Sequence, residues 1–301
     1  MSIDLFATVL DCAGRPLRLD RARVVGIINL TPDSFSGDGH LSVEAAVAQG
    51  LRMAGQGADM LDVGGESTRP GATPVSVEEE LRRVVPVIEQ LIAQTSLPIA
   101  IDTSRPEVMR AAVAAGAGMI NDVYALRREG ALDAAAELGV PVCLMHMQGE
   151  PGSMQADPQY DDVVGEVHRF LTDRLFSCEL AGIDKRRVMV DPGFGFGKSL
   201  AHNLALLSAL DRFGNLGSGV YAGLSRKGMI GTLTGRTVPA DRAAGSAAAA
   251  LIAVQRGARL VRVHDVAATV DALAVWRAVD ALDAAPKRQD PSGVPRWPDD
   301  D

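Results

Sequence analysis

Eight short apolar runs in this chain each end beside a side chain that can bind or polarise a ligand. These are Asn29, Asp62 with Glu66, Asp102, Asn121, His146, Asp191, Ser225 to Lys227, and Arg262 with His264. Their chemistry divides in two. Asp102, Asn121 and Asp191 offer carboxylate and amide groups suited to a flat heterocycle rich in N–H donors, because a carboxylate accepts two parallel N–H bonds well. Arg226, Lys227, Arg262 and His264 are positive and suit an anion. A single polar residue at a strand end usually just caps the next element, and a lone arginine is usually half of a salt bridge. Eight ends converging on one mouth are another matter, since buried carboxylates and amides are costly unless paired.

The stretch "DPGFGFGKS", residues 191–199, invites a nucleotide reading that its spacing does not support. A phosphate-binding loop needs glycine, four residues, then Gly-Lys-Ser/Thr. Counting back from Gly197-Lys198-Ser199, that glycine falls on Pro192. The dinucleotide pattern GxGxxG fails as well, because Lys198 stands three residues after Gly195.

The elements that must position these groups alternate. "RVVGIIN", "DMLDVGG", "LPIAID", "GMIND", "VPVCLMH", "RRVMVD", "SGVYAGLS" and "RLVRVHD" read as strands buried on both faces. A segment with helical spacing follows each. Ser76 with Glu79, and Ser104 with Glu107, predict capping boxes, and Pro86 predicts a kink. Eight strand–helix units predict a single (β/α)8 TIM barrel, with an open doubly wound sheet as the rival. The expected domain spans residues 1–284, with an N-terminal β-hairpin over 5–20 turning at Ala13-Gly14-Arg15-Pro16. A proline-rich, charged, disordered tail is expected over 285–301.

In such a barrel the ligand site lies at the C-terminal strand ends, and phosphate commonly sits after the seventh and eighth strands. Asp265 is placed to cap the last helix beside Arg262 and His264. "NLTPDSFSGDGH" and "GGESTRPGATPV" follow the first two strands; their Gly, Ser, Pro and Asp content suits disordered connectors, and mobile lids over the mouth are the functional alternative.

Composition bounds the partners. The 301 residues are 47 % hydrophobic and carry a formal net charge of −8, against a nucleic-acid or anionic-membrane partner. Any anion must therefore be held by locally gathered cations. Cys12, Cys143 and Cys178 form no CxxC pair and read as reduced thiols. "MSIDLFATVL" has no basic n-region, and no apolar run approaches the ~20 residues of a membrane span, so a cytoplasmic protein is expected.

The motifs "GIINLTPDSFS", "DVGGESTRPGA", "IDTSRPEV", "INDV", "CLMHMQG", "DPGFGFGK", "SRK" and "RVHDV", in this order over roughly residues 24 to 270, closely resemble those of the dihydropteroate synthase family of folate biosynthesis. The resemblance implies a transferase. A dihydropterin carrying a hydroxymethyl diphosphate loses diphosphate, and the amine of p-aminobenzoate attacks the methylene to give dihydropteroate. It implies that Asp102, Asn121, Asp191 and Lys227 hold the pterin, and that Asn29 coordinates Mg2+. Thr68, Arg262 and His264 are implied to hold the diphosphate. Arg69, Pro70, Phe196, Ser225 and Lys227 are implied to surround p-aminobenzoate. Asp102, Lys227 and Arg262 are the implied catalytic groups, the enzyme is an expected sulfonamide target, and a homodimer through the alanine-rich helix near 243–254 is expected. The first lid departs from the family, reading "DSFSGDGH" where "DSFSDGG" is usual. Methyltetrahydrofolate-dependent methyltransferases share a pterin barrel but need no diphosphate site. A Schiff-base aldolase using Lys227 and a non-catalytic pterin binder are the other readings.

Overall fold

The structure, a computed structural model, describes residues 8–31, 42–67, 74–150 and 152–283. Most of the first expected lid, residues 68–73 of the second, and the expected tail lie outside these.

The chain opens with an antiparallel hairpin of β1 (Val9–Cys12) and β2 (Arg15–Arg18). Its turn is only Ala13-Gly14, both at positive φ (53° and 80°), so Arg15 and Pro16 already belong to β2. Two consecutive left-handed residues define the tight turn that matches strand twist. The eight strands expected from sequence follow as β3 (Arg23–Asn29), β4 (Met60–Gly64), β5 (Ile99–Asp102), β6 (Met119–Asp122), β7 (Val142–Met145), β8 (Val188–Asp191), β9 (Val220–Ala222) and β10 (Ala258–Val263). All pair in parallel, and β10 returns to β3 to close the barrel, with Val263 opposite Gly26.

Side chains alternate along each strand, which sorts the apolar runs into two cores. Outward residues such as Ile28, Leu61, Val63, Ile101, Ile120, Leu144, Val190 and Val261 pack against the helices. Inward, Val25, Met60, Ala100, Met119, Cys143, Met189, Tyr221 and Leu260 form one apolar layer, one residue from each strand. The hairpin closes the barrel beneath this layer with Leu10, Cys12, Leu17 and Leu19. It is held there by the Arg15 guanidinium, which donates to the carbonyls of Ile92, Thr95 and Leu97 at 2.6–2.8 Å. Gly118 permits the approach, since a Cβ there would lie 2.3 Å from the Cys12 carbonyl oxygen.

The helices are α1 (Val43–Gly55), α2 (Val77–Gln94), α3 (Pro106–Ala114), α4 (Ala131–Leu138), α5 (Val163–Leu180), α6 (Leu200–Ser208), α7 (Gly228–Thr234), α8 (Ala243–Gln255) and α9 (Val266–Asp283). Three details differ from expectation. Ser76 does cap α2, accepting Glu79 N at 3.2 Å, but the Glu79 carboxylate turns to Arg82 and Arg83 instead of completing a box. α3 starts one residue later than expected: Arg105 is its N-cap residue, Pro106 opens it, and the Ser104 hydroxyl bonds Asp122. α7 was not anticipated; it is one short glycine-containing piece, too brief to show helical periodicity. Among the described residues no helix is long and apolar enough to cross a membrane.

Candidate active site

Two residues above the apolar layer, the same inward face carries Asp62, Asp102, Asn121, Asp191 and Arg262. This polar layer is the floor of the mouth. Arg262, from β10, donates through Nε to Asp62 Oδ2 and through Nη2 to Asp102 Oδ2 at 2.7 Å. Asn121 Nδ2 donates to the same Asp62 oxygen at 3.1 Å. Burial lifts Asp102 to about 7; Arg262 pulls it down, while Asp62 and Asp122 push it further up. Burial works against the charge of Arg262, yet Asp62 and Asp102 together raise it above the ordinary arginine value.

Across the mouth, Asp191 ends β8. Its Oδ1 accepts Gly193 N at 2.7 Å, and burial raises its carboxyl against the pull of Lys227. Lys227 is lowered to about 8 by burial, with Asp191 opposing and Arg262 adding to the shift. Its ammonium donates to the Phe194 carbonyl and sits 4.6 Å from the centre of the Phe196 ring, a cation–π contact. Two glycines keep the space between these groups clear. A Cβ on Gly223 would lie 3.8 Å from Asp191 Oδ2 and 3.9 Å from Lys227 Nζ. One on Gly64 would lie 3.7 Å from Asp102 Oδ2 and 3.8 Å from Asn29 Oδ1, so Asn29 and Asp102 flank one point on the rim.

The expected cation cluster is smaller than the sequence suggested. Arg226 is held by Asp265, with Nη2 to Oδ1 at 2.5 Å and Nε to Oδ2 at 2.9 Å. Asp265 therefore spends its carboxylate on Arg226, while its carbonyl receives Thr269 at the start of α9. Lys227, Arg262 and His264 remain at the mouth. His264 is fastened to the buried Ser225, whose hydroxyl lies 3.0 Å from His264 Nδ1 and accepts its backbone N–H at 3.1 Å. Of the residues expected around p-aminobenzoate, Phe196 and Lys227 lie together and the Ser225 hydroxyl is engaged by His264. Arg69 and Pro70, like Thr68, lie outside the described residues.

The glycines of "DPGFGFGKS" answer to packing. Gly193 and Gly197 both have positive φ, and a Cβ on them would fall 1.8 Å from His146 O and 2.3 Å from Gln148 O. The loop thus lies directly on the 146–148 segment. Lys198 turns inward and is buried, with its amine 2.9 Å from both His146 Nδ1 and Phe196 O. His146, lowered to about 2 by burial and then by Lys198 and Arg127, stays neutral and packs edge-on against Phe170. It supports the loop and is not part of the polar floor. Glu66 likewise serves the rim, accepting Arg105 Nη2 at 2.9 Å and Val75 N at 3.3 Å. The sequence places Asp62 among the strand ends at the mouth without assigning it a partner, and it singles out no role for Lys198. The signal for Asp62 was its place two residues after Met60, on the same face.

A family profile described as "Pterin binding enzyme" matches residues 25–264. The dihydropteroate synthase of Escherichia coli (strain K12) is 51 % identical over 266 residues, 88 % of this chain and 94 % of that one. The dihydropteroate synthase of Xanthomonas albilineans, solved with 4-aminobenzoic acid, superposes with a TM-score of 0.87 at 68 % identity, covering 91 % of this chain and 99 % of that chain. The Yersinia pestis dihydropteroate synthase, solved in a sulfonamide drug complex, does so with a TM-score of 0.88 at 46 % identity and the same coverage. With the closed barrel, the polar floor and these likenesses together, the chain belongs to the pterin-binding enzyme family, among its dihydropteroate synthases.

Proposed function

We propose that this barrel condenses 6-hydroxymethyl-7,8-dihydropterin diphosphate with p-aminobenzoate, giving 7,8-dihydropteroate and diphosphate. The observation that carries the reading is the polar floor, in which acceptors and donors alternate around one mouth: Asp102 and Arg262, Asn121, then Asp191 and Lys227. Asp191 accepts N–H donors from one edge of the pterin, and Lys227 beside it donates to the ring's carbonyl. Asn121 and Asp102 meet the opposite edge.

The bond between the methylene carbon and the bridging oxygen breaks, and the electron pair leaves with diphosphate. Asp102, ionised, stabilises the electron-deficient pterin that remains. Arg262 and His264 meet the leaving diphosphate, joined by Thr68. The amine nitrogen of p-aminobenzoate then bonds to the methylene and releases its proton to water. The aniline-like amine is already neutral at pH 7, so no side chain need act as its base. Phe196, Lys227, Ser225, Arg69 and Pro70 hold that second substrate.

Asn29 suits Mg2+. Its amide oxygen is a hard ligand on the rim beside the Gly64 clearance, and Mg2+ is commonly bound by one or two protein oxygens with substrate phosphates supplying more. Bound there, the ion would neutralise charge on the diphosphate. A homodimer joins α8 and its neighbour α9, which leave Ile252, Val275 and Val279 exposed. Sedimentation of the purified chain tests that part.

The decisive experiment mixes the protein, Mg2+, the dihydropterin diphosphate and p-aminobenzoate. Dihydropteroate and diphosphate should appear in equal amounts. Diphosphate release without dihydropteroate would reduce the protein to a hydrolase, and no product at all would leave only a binder. Borohydride with substrate present should trap no adduct on Lys227.

A further inference from the structure

Asp62 has none of its surface exposed, so a ligand in the mouth meets other residues first. Its Oδ2 nevertheless receives two side chains that the reading above places on the substrate: Arg262 through Nε and Asn121 through Nδ2, at 3.1 Å. Its Oδ1 is buried with no partner among the described residues, and the hydroxyl of Tyr221, in the layer below, is unpartnered too. A carboxylate buried on these terms is a poor stabiliser, since desolvation offsets most of what its pairing contributes.

We propose that Asp62 is a positioning residue for the pterin diphosphate: by holding Arg262 Nε and Asn121 Nδ2 on one oxygen, it fixes the direction in which both side chains face the mouth.

The inference rests on the proposed condensation and deepens it. An arginine carries five N–H donors in a rigid fork. Asp62 takes Nε and Asp102 takes Nη2, while Nη1 has no acceptor among the described residues. The fork is thus held along one edge, leaving its other end for an anion. Asn121 is tied in the same way: its amide nitrogen has Asp62 as its acceptor, so its oxygen and second N–H are free for the ring. β4 brings the carboxylate to this spot, with Asp62 opposite Ile27 of β3 and Ala100 of β5. The anchor therefore belongs to the barrel wall, and it leaves p-aminobenzoate, on the Phe196 side, untouched.

The test is Asp62→Asn, which keeps the shape and removes the charge. It should fold, and its kcat/KM for the pterin diphosphate should fall by about 10- to 100-fold, as expected when the acceptor for charged or buried donors is lost. The KM for p-aminobenzoate should stay at the wild-type value. Calorimetry with the diphosphate-free hydroxymethyl dihydropterin then isolates Asn121. Asp62→Asn and Asn121→Ala should each weaken binding, and the double variant should lose little more than Asn121→Ala alone. Fully additive losses would mean that Asp62 acts independently of Asn121, and they overturn the assignment. So does wild-type affinity and turnover in Asp62→Asn while the unaltered enzyme makes dihydropteroate, a result that leaves the condensation itself standing. An unaltered enzyme with no synthase activity sinks the condensation and this inference together. Asp62→Ser serves if the amide variant does not accumulate, and failure of both to fold would make Asp62 a structural residue.

Discussion

Arg262→Ala should harm the protein before any substrate is added. Arg262 is the counter-ion of two carboxylates, Asp62 with no exposure and Asp102 with a side chain 15 % exposed. Removing one partner of a buried pair typically costs about 3–5 kcal/mol, because the other charge stays buried. Asp62 would keep only Asn121, and Asp102 would lose the strongest of the neighbouring charges that lower its pKa. For a chain of this size the loss corresponds to a fall in Tm of roughly 5–15 °C. The pH dependence follows from Asp102. Its folded value, about 7, already stands above the ordinary 3.8, so the folded state holds the extra proton and stability falls as pH rises from 3.8 toward 7. Without Arg262 the folded value rises further and the window of loss extends to higher pH. The Tm deficit of the variant should therefore be smallest in acid and largest above pH 7. Thermal unfolding of both proteins across that range is the assay, with diphosphate and Mg2+ added in a second series. That ligand should stabilise the wild type by mass action and barely stabilise the variant. A variant with the wild-type Tm above pH 7, or a deficit that shrinks as pH rises, would refute the paired-carboxylate account.

The kcat/KM for the pterin diphosphate should rise through about 7 as Asp102 ionises and fall above about 8 as Lys227 loses its proton, giving a narrow bell; a profile flat across both values would remove these groups from control of the reaction. Gly193→Ala would drive a Cβ to within 1.8 Å of His146 O at a φ of +71°, so Tm should drop by several degrees and the KM for p-aminobenzoate should rise as Phe196 and Lys227 are displaced. An unaffected variant would show that the loop does not lie on the 146–148 segment. A sulfonamide should raise the apparent KM for p-aminobenzoate and leave kcat unchanged, whereas competition with the pterin diphosphate would put the drug in the other pocket.

Much of the barrel was legible because strands buried on both faces must be apolar throughout. "RVVGIIN" and "RRVMVD" show it, and each run ends where the inward face turns polar. Asp102, Asn121 and Asp191 stood out for that reason. Helix starts were legible where a serine faced an open first turn, as at Ser76. Ser104 misled because Asp122, from the neighbouring strand end, competes for its hydroxyl. α7 escaped because seven residues with two glycines carry too little periodicity.

Local order along the chain thus determined the strand count, the sequence of elements and the inventory of reactive side chains, since these follow from periodicity and residue type within a few positions. Which of those side chains meet was settled by closure. Arg226 and Asp265 are 39 residues apart, and their ion pair removes one cation from the expected cluster. Arg262 and Asp62 are 200 residues apart, and they meet because β10 closes on β3, whose other neighbour β4 carries Asp62, while both residues face inward. The glycines of "DPGFGFGKS" resemble a phosphate loop until the 146–148 segment is seen against them. Pairing of this kind depends on distances across the barrel, and those exist only once the sheet has closed.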